Sequence, residues 1–443
     1  MRKDYNRGRM MITILVLVGI MGIGYALLGA NLKINGVAEI PASSWNVRFK
    51  AGSINVTNGS VTVDTTNNEK AATIDNATQV SYAVRLALPG DFYEFTVTAE
   101  NTGSIDAMID SVVSKLGDTV ITTGTLPSYL DYSVTYSDGV TISPNQILAS
   151  NTEEEFKVRL EFKKDIETSE LPSSNIALNI NFQINYVQAD SSATKVYHPT
   201  SFADDDWDTI VGAVQNGNIS AYQVGDTKTV DMGTFGTHTL RVANKSTPSE
   251  CESAGFSQSA CGFVLEFADI ITTHRINPYI NGNVNGTGTK GGWEYSEMRT
   301  YVNSDIYNAL PTALKNSIIN TTVVSGHGNN DSANFTTTDK LYLLSSHEVW
   351  EDVGTGDYGS NYYDTAYNNT RQLDYYANLE VTTSYPNYAG AIKQNNGSNS
   401  GWWLRSARSD TNYCFWIVGT GGYSFSNYES YYTTGVAPAF RLG

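Results

Sequence analysis

The chain has 443 residues, which is long enough for two or three domains. It carries 28 Lys and Arg against 45 Asp and Glu, so its net charge is −17. We therefore do not expect the chain to bind nucleic acid through a general positive electrostatic field. Hydrophobic residues make up 40% of the chain, which argues against global disorder, and only 16% are charged. A polar but weakly charged composition of this kind is typical of cell-surface proteins.

The N-terminus has the pattern of an export segment. Residues 1–9 carry four basic side chains, and residues 10–30 then run without a charge, which is enough to span a bilayer. The basic flank would stay in the cytoplasm, so the rest of the chain would lie at the cell surface or outside the cell. Residues 1–30 are thus predicted to be a signal peptide, cut after Ala26 or Ala30, or a retained membrane anchor through residues 10–30.

Residues 25–38 and 45–49 add a resemblance to this prediction. They are similar to the export signal and first strands of camelysin-like biofilm-fibre proteins of Gram-positive bacteria. The resemblance implies export by a dedicated signal peptidase. The resemblance does not imply that this chain is a protease, because the sequence contains no His-Glu-x-x-His motif.

Residues 31–190 are predicted to form an all-β sandwich. Apolar residues alternate with polar ones over residues 95–99, 156–162 and 176–186, and Asn, Gly and Asp turns separate the runs. Strict alternation is typical of half-buried antiparallel strands, and several such strands at short spacing favour a sandwich. The simplest interpretation is a structural stalk; a fibre-forming module is the alternative, suggested by the camelysin-like start alone.

Residues 191–199 are polar and are predicted to be a linker, and residues 200–443 to be an α+β domain. Asp206 is placed to cap a first helix, Ser296 begins a second, and Pro311 opens a third. Residues 340–344 are apolar and predict a buried strand. The fold class expected from these patterns is a multidomain chain with an N-terminal transmembrane or signal helix, a β-sandwich and an α+β domain.

Neither the cysteines nor the Gly-rich segment predicts a catalytic site. Cys251 and Cys261 bracket a short loop without zinc-ligand spacing, so a disulfide is the best interpretation for an exported chain. The alternative is two unpaired small side chains. Residues 286–291 match G-x-G-x-x-G, but they lack the flanking strand and helix and are interpreted as a loop. The five His are scattered. No metal site, cofactor or catalytic residue is predicted.

The C-terminal region carries the functional prediction. Two blocks, residues 401–407 and 435–443, flank a window, residues 408–434, in which eight of 27 positions are aromatic. That is about 30%, against 11% for the whole chain, and the other positions are mostly Ser, Thr, Asn, Gly and Asp. This is the composition of binding surfaces, in which Tyr and Trp give large contact area at a low entropy cost. The alternative is a small aromatic core, with Phe415 and Ile417 as candidate members.

We predict that the window is a shallow ligand-binding surface held by buried flanks. The ligand-binding residues are predicted to be Arg408, Asp410, Tyr413, Tyr423, Phe425, Asn427, Tyr428, Tyr431 and Tyr432. The residues predicted to hold the scaffold are Trp402, Trp403, Arg405, Phe440 and Arg441.

The same region resembles a known fold family. Residues 402–406 and 438–442 look like the C-type-lectin-fold proteins related to the formylglycine-generating enzyme, in particular the variable proteins diversified by retroelements. Residues 291–299 and 337–345 match an uncharacterised domain of Gram-positive surface proteins with the same ending. The resemblance implies a lectin-like fold over residues 200–443 whose C-terminal face carries exchangeable side chains. Adenine-directed diversification would explain Cys414 and would leave Trp416 and Glu429 fixed.

These observations favour a non-enzymatic surface adhesin or receptor. Its partner would be an unknown protein or carbohydrate on another cell, a phage or a host, with no nucleic acid involved. A structural matrix or fibre protein is the first alternative. A secreted hydrolase with an unrecognised site is the second.

Overall fold

The computed structural model describes residues 43–59, 61–67, 69–116, 119–122, 126–172, 180–278, 291–328, 333–353 and 363–443. This part of the chain is rich in β-structure, has few and short helices, and builds two separate hydrophobic cores. The predicted signal or anchor segment, residues 1–30, lies outside the described residues, and so does all but the last residue of the G-x-G-x-x-G segment. Among the described residues, no helix combines the length and the apolar character needed to cross a bilayer.

The first core lies between two antiparallel sheets. Its strands are β1 (Val47–Phe49), β2 (Asn55–Gly59), β3 (Lys70–Asn76), β4 (Gln79–Ala83), β5 (Phe92–Asn101), β6 (Ala107–Leu116), β7 (Thr119–Val120), β8 (Leu130–Tyr136), β9 (Ile147–Leu148), β10 (Thr152–Phe162) and β11 (Ile180–Gln188). One sheet has the order β1-β5-β10-β8, with β2 also on β5, and the other has the order β11-β6-β7, with β9 on β6. Strands β3 and β4 form a separate hairpin.

Alternation of apolar and polar residues explains this core. In β5 every second side chain is buried, and β10 follows the same period from Phe156 to Phe162. Phe95 and Phe156, from one sheet, share the core with Ile109 and Leu148 from the other. The predicted strands over residues 95–99 and 156–162 are confirmed. The predicted strand at 176–186 is described only from Ile180 onward.

The segment predicted as a linker is bonded to this sandwich. Thr194 forms a bridge with Gln146. The His198 ring then lies between two carboxylates, with Nδ1 2.9 Å from Asp138 Oδ2 and Nε2 3.0 Å from Glu154 Oε2. The interactions with Glu154 and then Asp138 outweigh partial burial and raise the pKa of His198 to about 9. The connection between the two cores is therefore fixed by charge as well as by backbone pairing.

The second core is built from two sheets, two hairpins and short helices. In chain order the helices and strands are α1 (Trp207–Gln215), β12 (Thr227–Asp231), β13 (Thr237–Asn244), β14 (Val264–Phe267), β15 (Thr272–His274), α2 (Glu297–Tyr301), α3 (Tyr307–Ala309), α4 (Thr312–Ser317), β16 (Thr321–Gly326), β17 (Asn334–Asp339), α5 (Ser346–Val349), α6 (Asp374–Asn378), β18 (Lys393–Asn395), β19 (Ser398–Ser400), β20 (Trp402–Ala407), β21 (Cys414–Val418), β22 (Ser424–Glu429), β23 (Thr434–Val436) and β24 (Ala439–Arg441). A π-helical turn, Val302–Ile306, joins α2 to α3. The 3-10 helices in the described ranges are Thr65–Asn67, Thr168–Glu170, Gly233–Phe235, Ser249–Glu252, Gln258–Ala260, Tyr367–Asn369 and Asn387–Ala391.

The C-terminal strands complete both of these sheets. One sheet has the order β12-β13-β14-β24, and the other has the order β15-β23-β20-β21-β22. The strands β16 and β17 pair with each other, as do β18 and β19. Strand β22 is thus at the end of its sheet, next to the buried strand β21, and this position sets up the candidate site.

Local sequence signals account for the helix starts. Asp206 caps α1 by accepting a hydrogen bond from the Thr209 N–H at 2.7 Å. Ser296 caps α2 in the same way, and Pro311 directly precedes α4. The side-chain oxygens of Asp206 and Ser296 satisfy N–H groups that have no partner within the helix, whereas Pro311 supplies no side-chain cap. All three predicted helix starts are confirmed.

The strand predicted at residues 340–344 is wrong. Leu341, Leu343 and Leu344 are fully buried, as their apolar character requires, but the segment pairs only through one bridge between Tyr342 and Ala439. The run is apolar because it passes through the core, and burial alone does not distinguish a strand from an irregular buried segment.

Cys251 and Cys261 are joined by a disulfide with an Sγ–Sγ distance of 2.01 Å. It closes the loop that precedes β14. Cys414 is a free thiol and is buried.

Candidate functional site

Strand β20 is the scaffold of the site. All six of its residues are buried, and the side chains of both tryptophans are anchored by hydrogen bonds. Trp402 Nε1 donates to the Ala391 carbonyl at 3.1 Å, and Trp403 Nε1 donates to the His274 carbonyl at 2.7 Å. Buried indole N–H groups need such partners, and here both are met.

A buried ion pair ties β20 to helix α5. Arg405 donates from Nη2 to Glu348 Oε1 at 2.5 Å and from Nη1 to Glu348 Oε2 at 2.6 Å, and both side chains are completely buried. Glu348 also forms a capping box with Ser345 and accepts from the Thr370 hydroxyl at 2.9 Å. Burial alone would raise the pKa of Glu348, but the Arg405 charge and these hydrogen bonds bring it below its usual value. Both groups are therefore held ionised inside the core.

The two other predicted scaffold residues differ from each other. Phe440, on β24, is fully buried, with its ring centroid 6.5 Å from that of Phe267. Arg441 is only half-buried and lines a cleft. Within the described residues no carboxylate lies within 4 Å of it, and its Nε has no hydrogen-bond partner. Arg441 therefore does not stabilise the scaffold as Arg405 does.

The middle of the aromatic window is core rather than surface. Strand β21 is buried at all five positions, including Phe415 and Ile417. Trp416, on the opposite side of the strand, is also buried and stacks on Tyr363 with ring centroids 4.4 Å apart. Cys414, the first residue of β21, is 1% exposed, and burial raises the pKa of its thiol. Its position under the surface excludes it from the binding face.

Two predicted ligand-binding aromatics pack mainly against this core. Phe425 and Tyr428 are partly buried residues of β22 that contact the second hydrophobic core. The Tyr428 ring lies edge-on to Trp403, with centroids 5.1 Å apart. Phe425 and Tyr428 are thus half-buried, and their role as ligand contacts stays a prediction. A bulge in the pairing of β21 with β22 shifts the register between the two strands.

Tyrosines lie at both ends of β22. At its C-terminal end, the half-buried Tyr428 of the strand and Tyr431 and Tyr432 after the strand form what we name the tyrosine cluster, with ring centroids 5.3 Å apart between Tyr428 and Tyr432 and 4.5 Å apart between Tyr431 and Tyr432. A hydrogen bond with Glu429 raises the pKa of Tyr431. Tyr432 is 44% exposed.

Before the strand, Tyr423 belongs to a second group. Its ring lies 6.1 Å from that of Tyr388, which lies 5.8 Å from that of Tyr385. Tyr385 is 83% exposed. We name these three residues the tyrosine platform. Tyr385 and Tyr388 were missed by sequence analysis because they lie outside the window; the only signal was a Tyr-Pro-Asn-Tyr turn at residues 385–388.

Glycines hold the platform in place. A methyl group added to Gly419 would lie 2.5 Å from the Tyr423 ring, and one on Gly421 would lie 3.3 Å from it. The ring therefore packs closely against the glycine backbone of the turn between β21 and β22. Gly422 has a φ of +90°, and a methyl group there would lie 2.2 Å from the Tyr388 carbonyl oxygen. Only glycine allows this close approach of the two loops.

The remaining predicted binding residues surround the turn between β20 and β21. Arg408 and Asp410 pair with each other, with Nε 2.5 Å and Nη2 2.9 Å from the two carboxylate oxygens. Tyr413 is 36% exposed. The side chain of Asn427 lies outside the described residues. Arg408 and Asp410 thus form a polar rim beside Tyr413.

The described residues contain no group of three or more His, Cys, Asp or Glu that could hold a metal ion. The histidines have separate partners: His238 lies 2.8 Å from Asp269, and His274 stacks on Tyr301 with centroids 4.1 Å apart. The arrangement of the site offers aromatic and polar contact surface rather than a set of converging acids and bases.

Residues 269–443 match a family model described as a domain of unknown function, DUF6273. No curated protein matches the chain. The matched segment contains β15 to β24, the Arg405–Glu348 pair, the tyrosine platform and the tyrosine cluster. The site therefore lies within one family domain, while α1, β12, β13 and β14 precede the matched segment.

Proposed function

We propose that this protein is a surface-displayed ligand-binding protein, an adhesin or receptor. A lectin-like domain, residues 200–443, would be presented on the β-sandwich stalk and would bind a protein or carbohydrate through the tyrosines at the two ends of β22. Export through residues 1–30 is part of the proposal and rests on the sequence pattern described above.

The observation that carries the proposal is the support beneath the exposed Tyr423 ring. The ring packs closely against glycine backbone, and it lies nearly perpendicular to the Tyr388 ring. An exposed aromatic that is already fixed loses little conformational entropy when it binds, and this is the usual property of binding anchors. The exposed Tyr385 enlarges the same surface.

The distribution of burial in the window supports exchangeable binding residues. Exposed positions lie in the loops at 409–413, 419–423 and 430–433, whereas Cys414–Val418 is buried throughout. Substitutions in the loops would change the surface and leave the packing of Trp416 on Tyr363 intact. This arrangement suits a face whose specificity changes while its fold does not.

Binding is tested with the purified protein on a glycan array and on intact bacterial cells. Tyr423→Ala and Tyr385→Ala are each expected to weaken binding by about 2 kcal/mol or more without unfolding. Tyr295→Ala is the matched control, since Tyr295 is 43% exposed in the same domain and belongs to neither tyrosine group. Unchanged binding across alanine variants of both groups would reject the proposal.

Diversification is tested separately by deep sequencing of codons 400–443 in a population of the source cells. The expected pattern is variation confined to 408–434, at codons traceable to adenines, with Trp416 and Glu429 constant. An invariant window would reject diversification and leave a receptor of fixed specificity.

A further inference from the structure

A second concave site lies away from the tyrosines. It is a cleft of about 400 Å³ between the end of α1, the segment after β13 and the C-terminal end of β24. Ile219, Phe263 and Ile319 give it apolar walls, and Lys245 and Arg441 give it two cationic side chains. Its volume is in the range of sites that bind small molecules.

The Lys245 ammonium group is satisfied by neutral oxygens only. Its Nζ donates to the carbonyl of Ile219 at 2.9 Å and to the carbonyl of Tyr222. In the described part of the chain, no carboxylate lies within 4 Å of Nζ, and Asp226 acts on it only from a greater distance. Two of its three N–H groups are used, so one donor and the full charge remain available.

The Arg441 guanidinium has fewer hydrogen-bond partners than the Lys245 ammonium. No described side chain or carbonyl accepts a hydrogen bond from its guanidinium, and its Nε is buried without a partner. Gly262 lies so close that a methyl group there would be 3.4 Å from Nη2. Burial lowers the pKa of Arg441 and also that of Lys245, which shows that each charge is partly removed from water.

Two partly desolvated cations with no described carboxylate within 4 Å are unusual in a chain with 17 excess negative charges. The desolvation of a charge is unfavourable unless an opposite charge compensates for it. A guanidinium group presents parallel N–H donors that match a carboxylate, and the Lys245 ammonium, which lines the same cleft, is a second cationic donor. The apolar walls match a short hydrocarbon group.

We propose that this cleft binds a small organic carboxylate. Its carboxylate lies between Lys245 and Arg441, and its apolar part packs on Ile219, Phe263 and Ile319. This site is independent of the tyrosine platform and of the proposed receptor function.

Hexanoate is the probe, added to the purified protein and followed by isothermal calorimetry and by two-dimensional NMR. Hexan-1-ol has the same chain without the charge, and inorganic phosphate has charge without the chain. Saturable hexanoate binding, with weaker binding of both controls, is the expected result. No hexanoate binding at millimolar concentration, or hexan-1-ol or phosphate binding as tightly as hexanoate, would overturn the proposal.

Substitutions locate the site. Arg441→Gln and Lys245→Gln are each expected to weaken hexanoate binding by about tenfold or more, because each removes a charged hydrogen-bond donor. Gln215→Glu covers the case in which those variants unfold: Gln215 is an exposed residue at the cleft, and a negative charge there repels the ligand. Arg275→Gln, at an exposed arginine elsewhere in the domain, is the control and leaves affinity unchanged. Unchanged affinity in Gln215→Glu and in whichever cation variants fold would refute the assignment.

Discussion

Glu348→Gln is expected to destabilise the C-terminal domain by about 3–5 kcal/mol. The substitution keeps the shape of the side chain but leaves the completely buried Arg405 guanidinium without its negative partner. The two short bonds between these side chains, at 2.5 and 2.6 Å, are lost as charged interactions. Hydrogen bonds from Ser259 and Thr370 to the former carboxylate cannot offset an uncompensated buried charge.

For a domain of this size the loss corresponds to a decrease in Tm of about 6–20 °C. Urea and thermal unfolding measure it, followed by tryptophan fluorescence, to which five fully buried tryptophans of this domain contribute: Trp293, Trp350, Trp402, Trp403 and Trp416. Glu297→Gln is the matched control, because the pair of Glu297 with Arg275 is exposed and is expected to contribute only about 0–1 kcal/mol.

The double variant Glu348→Gln/Arg405→Met tests the reasoning. Because it removes both charges, it is expected to cost clearly less than the sum of the two single substitutions. The lowered pKa of Glu348 also means that its contribution is present above its unfolded pKa and is lost as pH falls through the lower folded pKa. A Glu348→Gln cost below about 1 kcal/mol, or strict additivity in the double variant, would refute an ionised pair that acts as a unit.

Three further predictions address the junction, the platform turn and the disulfide. His198→Gln is expected to remove a pH dependence of unfolding: the raised pKa of His198 means that its contribution is complete below about pH 6.5 and is lost as pH rises through about 9. An NMR titration of the His198 ring checks this, and an apparent pKa near 6.5 would contradict it. Gly422→Ala is expected to cost about 1–3 kcal/mol and to weaken binding through Tyr423, because the new methyl group meets the Tyr388 carbonyl. Gly397→Ala, with φ of +80° and nothing within 4 Å, separates backbone strain from this clash, so equal costs in calorimetry would exclude the clash. Joint Cys251→Ser and Cys261→Ser substitution is expected to cost about 2–3 kcal/mol, since the bridge closes a ten-residue separation; an unchanged midpoint in urea would count against it.

The parts of the fold that depend on local pattern were predictable from sequence. Alternation identified β5 and β10, because one face of each is buried and the period of a strand is two. Asp206 and Ser296 identified helix starts, because the capping interaction involves residues only three positions apart. Such signals do not require knowledge of the rest of the chain.

The parts that depend on long-range contacts were not predictable. Trp416 could not be assigned to the core without Tyr363, which lies more than fifty positions earlier. The bulge between β21 and β22 turns Phe425 and Tyr428 toward the core, and a bulge has no reliable signal in a short aromatic strand. Tyr385 and Tyr388 belong to the site because Tyr388 contacts Tyr423 in a distant turn, and sequence alone does not show that contact.

Burial and exposure divide the C-terminal region, residues 401–443, into two parts with different physical demands. Arg405, Trp402 and Trp403 are fixed by buried hydrogen bonds, so substitutions there leave a charge or an indole N–H unpaired in the core. The loop at 419–423 is fixed instead by glycine geometry, which constrains Gly422 but leaves the exposed face of Tyr423 free of other contacts with the core. A surface supported by backbone can exchange side chains at little cost in stability, whereas a surface supported by interlocked side chains cannot. On this reasoning, replacing Tyr423 by Asn or Ser would alter binding with a loss of stability well below that of Glu348→Gln, and an equal loss in urea unfolding would show that the platform is part of the core after all.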